Sequence, residues 1–246
     1  MSNATKAIIG AVVAVAVLAL GGTWLYINVI KDDAPEKLSL DDTASGSDAP
    51  TTTAASGDAP TTTASGEAPA AGDGVDGEWT ATDASVVGYR AKEVLFGQDT
   101  EGVGRTNAVT GTLTIAGTSV ESASFEVDMT SLKSDESNRD NQFNGRIMET
   151  ATYPTATFEL TSPIDLGSVP EDGVEITATA TGKLTLKDRT KDVDLDITAK
   201  REGSTISVLT SYSVKFADWG IDDPSFGPAQ VEDNALLEIK LVFERA

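Results

Sequence analysis

Neither cysteine nor histidine occurs in the 246 residues. Without them there is no Ser-His-Asp triad, no cysteine nucleophile, no histidine acid-base catalyst, and no haem or zinc site of the usual ligand set. Only carboxylate or lysine chemistry survives. No disulfide can form either, so stability outside the cytoplasm has to come from a packed core. Basic residues are also scarce, 18 against 39 acidic ones, giving a formal charge of −21. Nucleic-acid binding depends on Lys and Arg neutralising phosphates, so no nucleic-acid partner is expected. An acidic, well-solvated surface accounts for the excess.

Long apolar runs are nearly absent as well, with one exception. Ala7 to Ile30 contains 24 positions without a charge, against the roughly 20 apolar residues that span a bilayer core. Trp24 and Tyr26 stand near its outer end, where amphipathic rings prefer the interface. Residues 1–31 therefore read as a single-pass membrane anchor. The competing reading is a cleavable signal peptide cut at Ala14-Val15-Ala16, which would leave a shortened apolar core and a mature protein starting with more apolar sequence. Lys6 precedes the run, and Lys31 is followed by Asp32 and Asp33. That asymmetry places the amino terminus inside and the rest of the chain on the extracytoplasmic side of the cell membrane.

Residues 32–77 read as a disordered linker. The unit DAPTTTA occurs at Asp48 to Ala54 and again at Asp58 to Ala64, with a degenerate copy, GEAPAA, at Gly66 to Ala71. Ala, Pro, Thr, Ser and Gly with scattered carboxylates cannot build a core. A flexible stretch of about 45 such residues reaches roughly 35 to 40 Å, enough to let a globular part stand clear of a membrane.

Residues 78–246 read as one all-β domain. Leu184 and Leu186 alternate with polar neighbours, as do Val193, Leu195 and Ile197 with Asp192, Asp194 and Asp196, so Val174 to Ile197 is expected to be an antiparallel hairpin with one apolar and one acidic face. Further strands are expected at Ser85 to Leu95, Ala108 to Ile115, Val120 to Met129, Thr155 to Thr161, Thr205 to Phe216 and Ala235 to Phe243. The polar stretch Ser134 to Thr150 carries Phe143, Ile147 and Met148 at helical spacing. It predicts a short helix capped by Ser134 or Asp135 and ended by Tyr153-Pro154. Together these give an antiparallel eight-stranded barrel with one short helix, preceded by a transmembrane helix and the linker.

The order of landmarks resembles the YceI-like domain family. The landmarks are Trp79 before the first strand, Arg139-Asp140 opening the helical segment, Tyr153-Pro154 followed by Phe158, Gly182-Lys183-Leu184-Thr185-Leu186 running into Thr190-Lys191-Asp192-Val193, and Phe216-Ala217-Asp218-Trp219-Gly220-Ile221 before the last strand. The resemblance implies a lipocalin-like barrel binding a polyisoprenoid or similar amphiphile, such as a quinone-like lipid, in a lengthwise apolar pocket. Where the family usually has a leucine and a pair of phenylalanines before Tyr-Pro, this chain has Phe143, Ile147 and Met148. Phe125, Val127, Phe158, Leu160, Leu184 and Leu186 from strands, those three from the helix, and Trp219 are the candidate lining residues. Arg139 is the candidate head-group contact, or else fixes the start of the helix by a salt bridge. The alternatives are a filled barrel serving as a surface interaction or adhesion module, and a carboxylate hydrolase, for which no acidic pair stands out. The Asp192, Asp194, Asp196 row reads as a solvated face and not a metal site. No cofactor, metal or catalytic residue is expected.

Overall fold

The computed structural model describes residues 34–41 and 74–246. Its strands are β1 (Gly77–Ala81), β2 (Val86–Leu95), β3 (Gln98–Thr106), β4 (Val109–Ala116), β5 (Ser119–Asp128), β6 (Lys133–Ser134), β7 (Thr155–Leu160), β8 (Ile164–Asp165), β9 (Glu175–Leu186), β10 (Arg189–Glu202), β11 (Thr205–Lys215), β12 (Ala229–Val231) and β13 (Asn234–Arg245). Among the described residues one α-helix, α1 (Ser137–Gln142), lies between β6 and β7. Every strand pairing is antiparallel. Eight strands form a closed ring in the order β1-β4-β5-β7-β9-β10-β11-β13, with β13 returning to β1. Closure leaves that ring without a free edge.

The alternation that marks the strands also decides which side chains point inward. Leu184 and Leu186 on β9 and Val193 and Leu195 on β10 are buried, while Asp192, Asp194 and Asp196 face out. Each aspartate meets the strand opposite: Asp192 accepts from Lys183 at 2.8 Å, Asp194 from the Thr181 hydroxyl at 2.6 Å, and Asp196 from the Thr179 hydroxyl at 3.1 Å.

Two strands share one edge of β13. β1 pairs with the last residues of β13, whereas β2 pairs with its first half, Val87 opposite Ile239. From β2 the sheet runs on to β3 and then β6. β3 has no apolar alternation and is not expected from the sequence. Its inward positions are Gly102 and Gly104, and a Cβ at Gly104 would stand 2.6 Å from the Tyr89 ring. The helix is also shorter than expected. It begins at Ser137, without a side-chain cap from Glu136, and winds into a wider turn through Phe143–Ile147. The Asp140 carboxylate reaches back instead, accepting from the Ser134 amide at 2.9 Å and its hydroxyl at 2.8 Å. Glu149, in the left-handed region at φ 51°, turns the chain away before Tyr153-Pro154 is reached.

Residues 34–41, within the stretch expected to be linker, lie against the outside of the barrel. Arg90 on β2 donates to the Pro35 carbonyl at 2.6 Å, Arg105 on β3 donates to the Glu36 carbonyl, and Lys200 on β10 meets the Asp41 carboxylate at 2.6 Å. Given the strand order, this strap crosses β3, β2, β13, β11 and β10. The outward side chains there are unusually buried: Val103 is 4% exposed yet outside the main core, and Glu238 and Lys240 are 3% exposed. Glu238 accepts from Arg90 at 3.0 Å and Arg105 at 3.2 Å, so the strap rests on an ion cluster whose charges are already paired. The expected anchor, residues 1–31, lies outside the described residues, as does linker 42–73. No helix among the described residues is long and apolar enough to cross a membrane.

Candidate functional site

The barrel is not filled. A cavity of about 660 Å³ opens at the end where β2 meets β3, and a smaller one of about 130 Å³ lies deeper. Eight strands enclose an interior that side chains just fill or that holds one small ligand. Here Ala91, Gly102, Ala156 and Ala235 take wall positions of the larger cavity. Large side chains at those places would close it.

Of the expected lining residues, Phe125, Val127, Phe143, Ile147, Met148, Leu184 and Leu186 border the larger cavity. Phe158 and Leu160 border the smaller one, and Phe125 touches both. Phe125 and Phe158 stack with ring centroids 5.6 Å apart and planes 18° from parallel, forming the partition between the two chambers. Gly182 permits this, because a Cβ there would stand 2.4 Å from the Phe158 ring. Trp219 borders neither chamber. It is 1% exposed and lies beneath Lys191, whose Nζ is 5.3 Å from the ring centroid.

Several further residues, absent from the candidates, also line the cavity. Tyr89 shares the inward side of its strand with Val87 and Ala91, and stacks on Phe143 at 5.2 Å. Burial pushes its hydroxyl pKa well above the ordinary tyrosine value, with the Arg139 charge opposing. Met129 and Leu132 follow β5 in a short turn, and Phe216 and Ile221 flank the buried Trp219. Phe226 stands in a loop without any alternation. That loop is held to the helical segment by Arg146, which donates to the carbonyls of Asp223 at 2.7 Å and Pro224 at 3.0 Å.

The mouth is polar on one side only. Arg139 lies across Gly102, where a Cβ would be 2.8 Å from its Nε, and donates to Glu93 at 3.0 Å and to Asp135. Burial disfavours its charge, but Glu93 and Asp135 outweigh that and keep the guanidinium firmly protonated. Glu136 also borders the cavity. Two carboxylates therefore already pair with the one guanidinium, and its charge is not free to hold an added anion. Among the described residues no cluster of three or more acidic side chains is placed to hold a metal ion.

The family model of the YceI-like domain matches residues 79–243. Among solved structures, the chain is similar to a polyisoprenoid-binding domain from Saccharophagus degradans implicated in plant cell wall breakdown. The two share 19% identity at a TM-score of 0.57, over 68% of this chain and 98% of that one. It is also similar to BcnA of Burkholderia cenocepacia, with 21% identity and a TM-score of 0.50 over 66% of this chain and 98% of that one. No curated protein matches the chain.

Proposed function

The chain belongs to the YceI-like domain family, and from that premise we propose that it is a non-catalytic lipid-binding protein, holding one long-chain isoprenoid or quinone-like lipid inside its barrel. The observation that carries this reading is the open apolar cavity of about 660 Å³ in a barrel of this size. Its volume falls within the roughly 300 to 1,000 Å³ typical of small-molecule sites. Each methylene moved from water onto such walls contributes about 0.8 kcal/mol, so a few isoprene units suffice for firm retention without polar contacts. The polyisoprenoid-binding domain of Saccharophagus degradans, with the same fold, supports this choice of chain. The carboxylates around Arg139 favour an uncharged polar end, a hydroxyl or carbonyl, over a phosphate. Residues 7–30 tether the protein to the cell membrane, with the barrel on the extracytoplasmic side.

The test is organic extraction of the full-length protein, purified from its native membranes, followed by mass spectrometry. The expected extract contains a prenyl lipid without a phosphate, in stoichiometric amount. A protein that carries no lipid, and that takes up neither polyprenol nor quinone from mixed micelles, contradicts the proposal.

A further inference from the structure

The mouth of the larger cavity carries a feature that ligand retention does not require. Phe96 and Phe226 are 57% and 62% exposed, and both border the opening. They lie at one corner of the barrel: Leu95 pairs with Ala229, and Ala229 bridges back to Phe226. Val94, 36% exposed, adjoins them. Phe96 occupies the first place of a two-residue turn between β2 and β3, at φ 51°, followed by Gly97 at φ 82°. Positive φ at both positions is the geometry that Asn-Gly or Gly-Gly satisfies most easily. A bulky aromatic there is a conformational outlier, and it exposes an apolar ring that asparagine would not.

The strap supplies the second observation. Ala34 is four residues beyond Ile30, the end of the uncharged run, and four residue steps span at most about 14 Å. Residues 34–41 are fastened to the barrel through Arg90, Arg105 and Lys200. The long repeat stretch begins only after the strap and cannot act as a spacer between the run and the barrel. A barrel so fastened sits directly at the surface of whatever bilayer the run enters.

We propose that the rim formed by Phe96 and Phe226, with Val94, is a membrane-docking surface that seats the cavity mouth on a neutral bilayer. The inference rests on the tethering part of the proposed function. Apolar and aromatic side chains settle at the boundary between headgroups and acyl chains, and an uncharged lipid then passes between bilayer and cavity without crossing water. The strongly acidic chain is repelled by anionic surfaces, so the partner is zwitterionic lipid. The described chain has a competing apolar patch, Val169 and Val174, 44% and 46% exposed at the opposite end of the barrel.

The absence of native cysteine makes the test direct. Full-length protein is reconstituted into phosphatidylcholine vesicles with one probe site at a time, Phe96→Cys, Phe226→Cys or Val174→Cys, each labelled with an environment-sensitive fluorophore. Brominated phosphatidylcholine is expected to quench most of the emission at 96 and 226 and little at 174. Vesicle flotation is scored on the same samples. Protein that floats with an unquenched rim, or with quenching at 174 instead, overturns the docking surface and leaves the tether standing. Protein that fails to float overturns both.

Discussion

Tyr89 combines partial burial, a stack on Phe143 and a place in the cavity wall. Its folded pKa is raised above the value of about 10 for a free tyrosine, so the folded state favours the neutral ring. The stability this contributes is fully present below about pH 10 and is lost as the pH rises through the raised value. An ultraviolet titration is expected to show one late-ionising tyrosine that disappears in Tyr89→Phe. Phe158 carries the other residue-scale prediction. Phe158→Ala removes half of the partition between the two chambers and costs about 3 to 5 kcal/mol, measurable by denaturant unfolding. The enlarged interior is expected to shift the extracted lipid toward longer chains. Retention of the wild-type length distribution would show that Phe158 does not limit depth.

Among the elements, the strap has the clearest energetic consequence. Deleting residues 34–41 strips a hydrogen-bond partner from the buried guanidinium of Arg90 and the Asp41 partner from Lys200. The expected loss is about 1 to 3 kcal/mol, the usual cost of leaving a buried polar group unpaired, read from the shift of the urea midpoint. The strap is invisible in the sequence because much of its hold comes from the carbonyls of Pro35 and Glu36, groups that every residue carries. β9 and β10 were legible for the opposite reason: their side chains alone separate core from solvent with period two. β3 hid because glycines hold its inward places, making room for Tyr89 and Arg139. The helix starts later than its sequence suggests because its local cap is Asp140, reaching back to Ser134 from inside the helix. Seven of the ten lining candidates border the larger cavity. The division into two chambers was not readable, since it depends on two rings meeting across β5 and β7.

At the scale of the whole molecule, the acidic excess includes outward faces such as the aspartate row of β10, where each charge stays solvated or meets a neighbouring strand. The strap also changes what the repeat region can do. The 32 residues 42–73 start from Asp41, held by Lys200, and end before Asp76, whose carbonyl accepts from Arg245 at 2.9 Å. Both ends are fastened to the same barrel. Even for a fully flexible connection, doubling its length costs only about 0.6 kcal/mol in closure entropy. Excising Asp48 to Ala54, one DAPTTTA unit, is therefore expected to leave the melting temperature and the barrel's distance from the bilayer unchanged, the latter measured by energy transfer from a labelled Phe96→Cys site to a membrane dye. The length of the repeat tract is thereby uncoupled from the place of the barrel, and a longer or shorter loop changes how far its own middle reaches into solvent without moving its two ends.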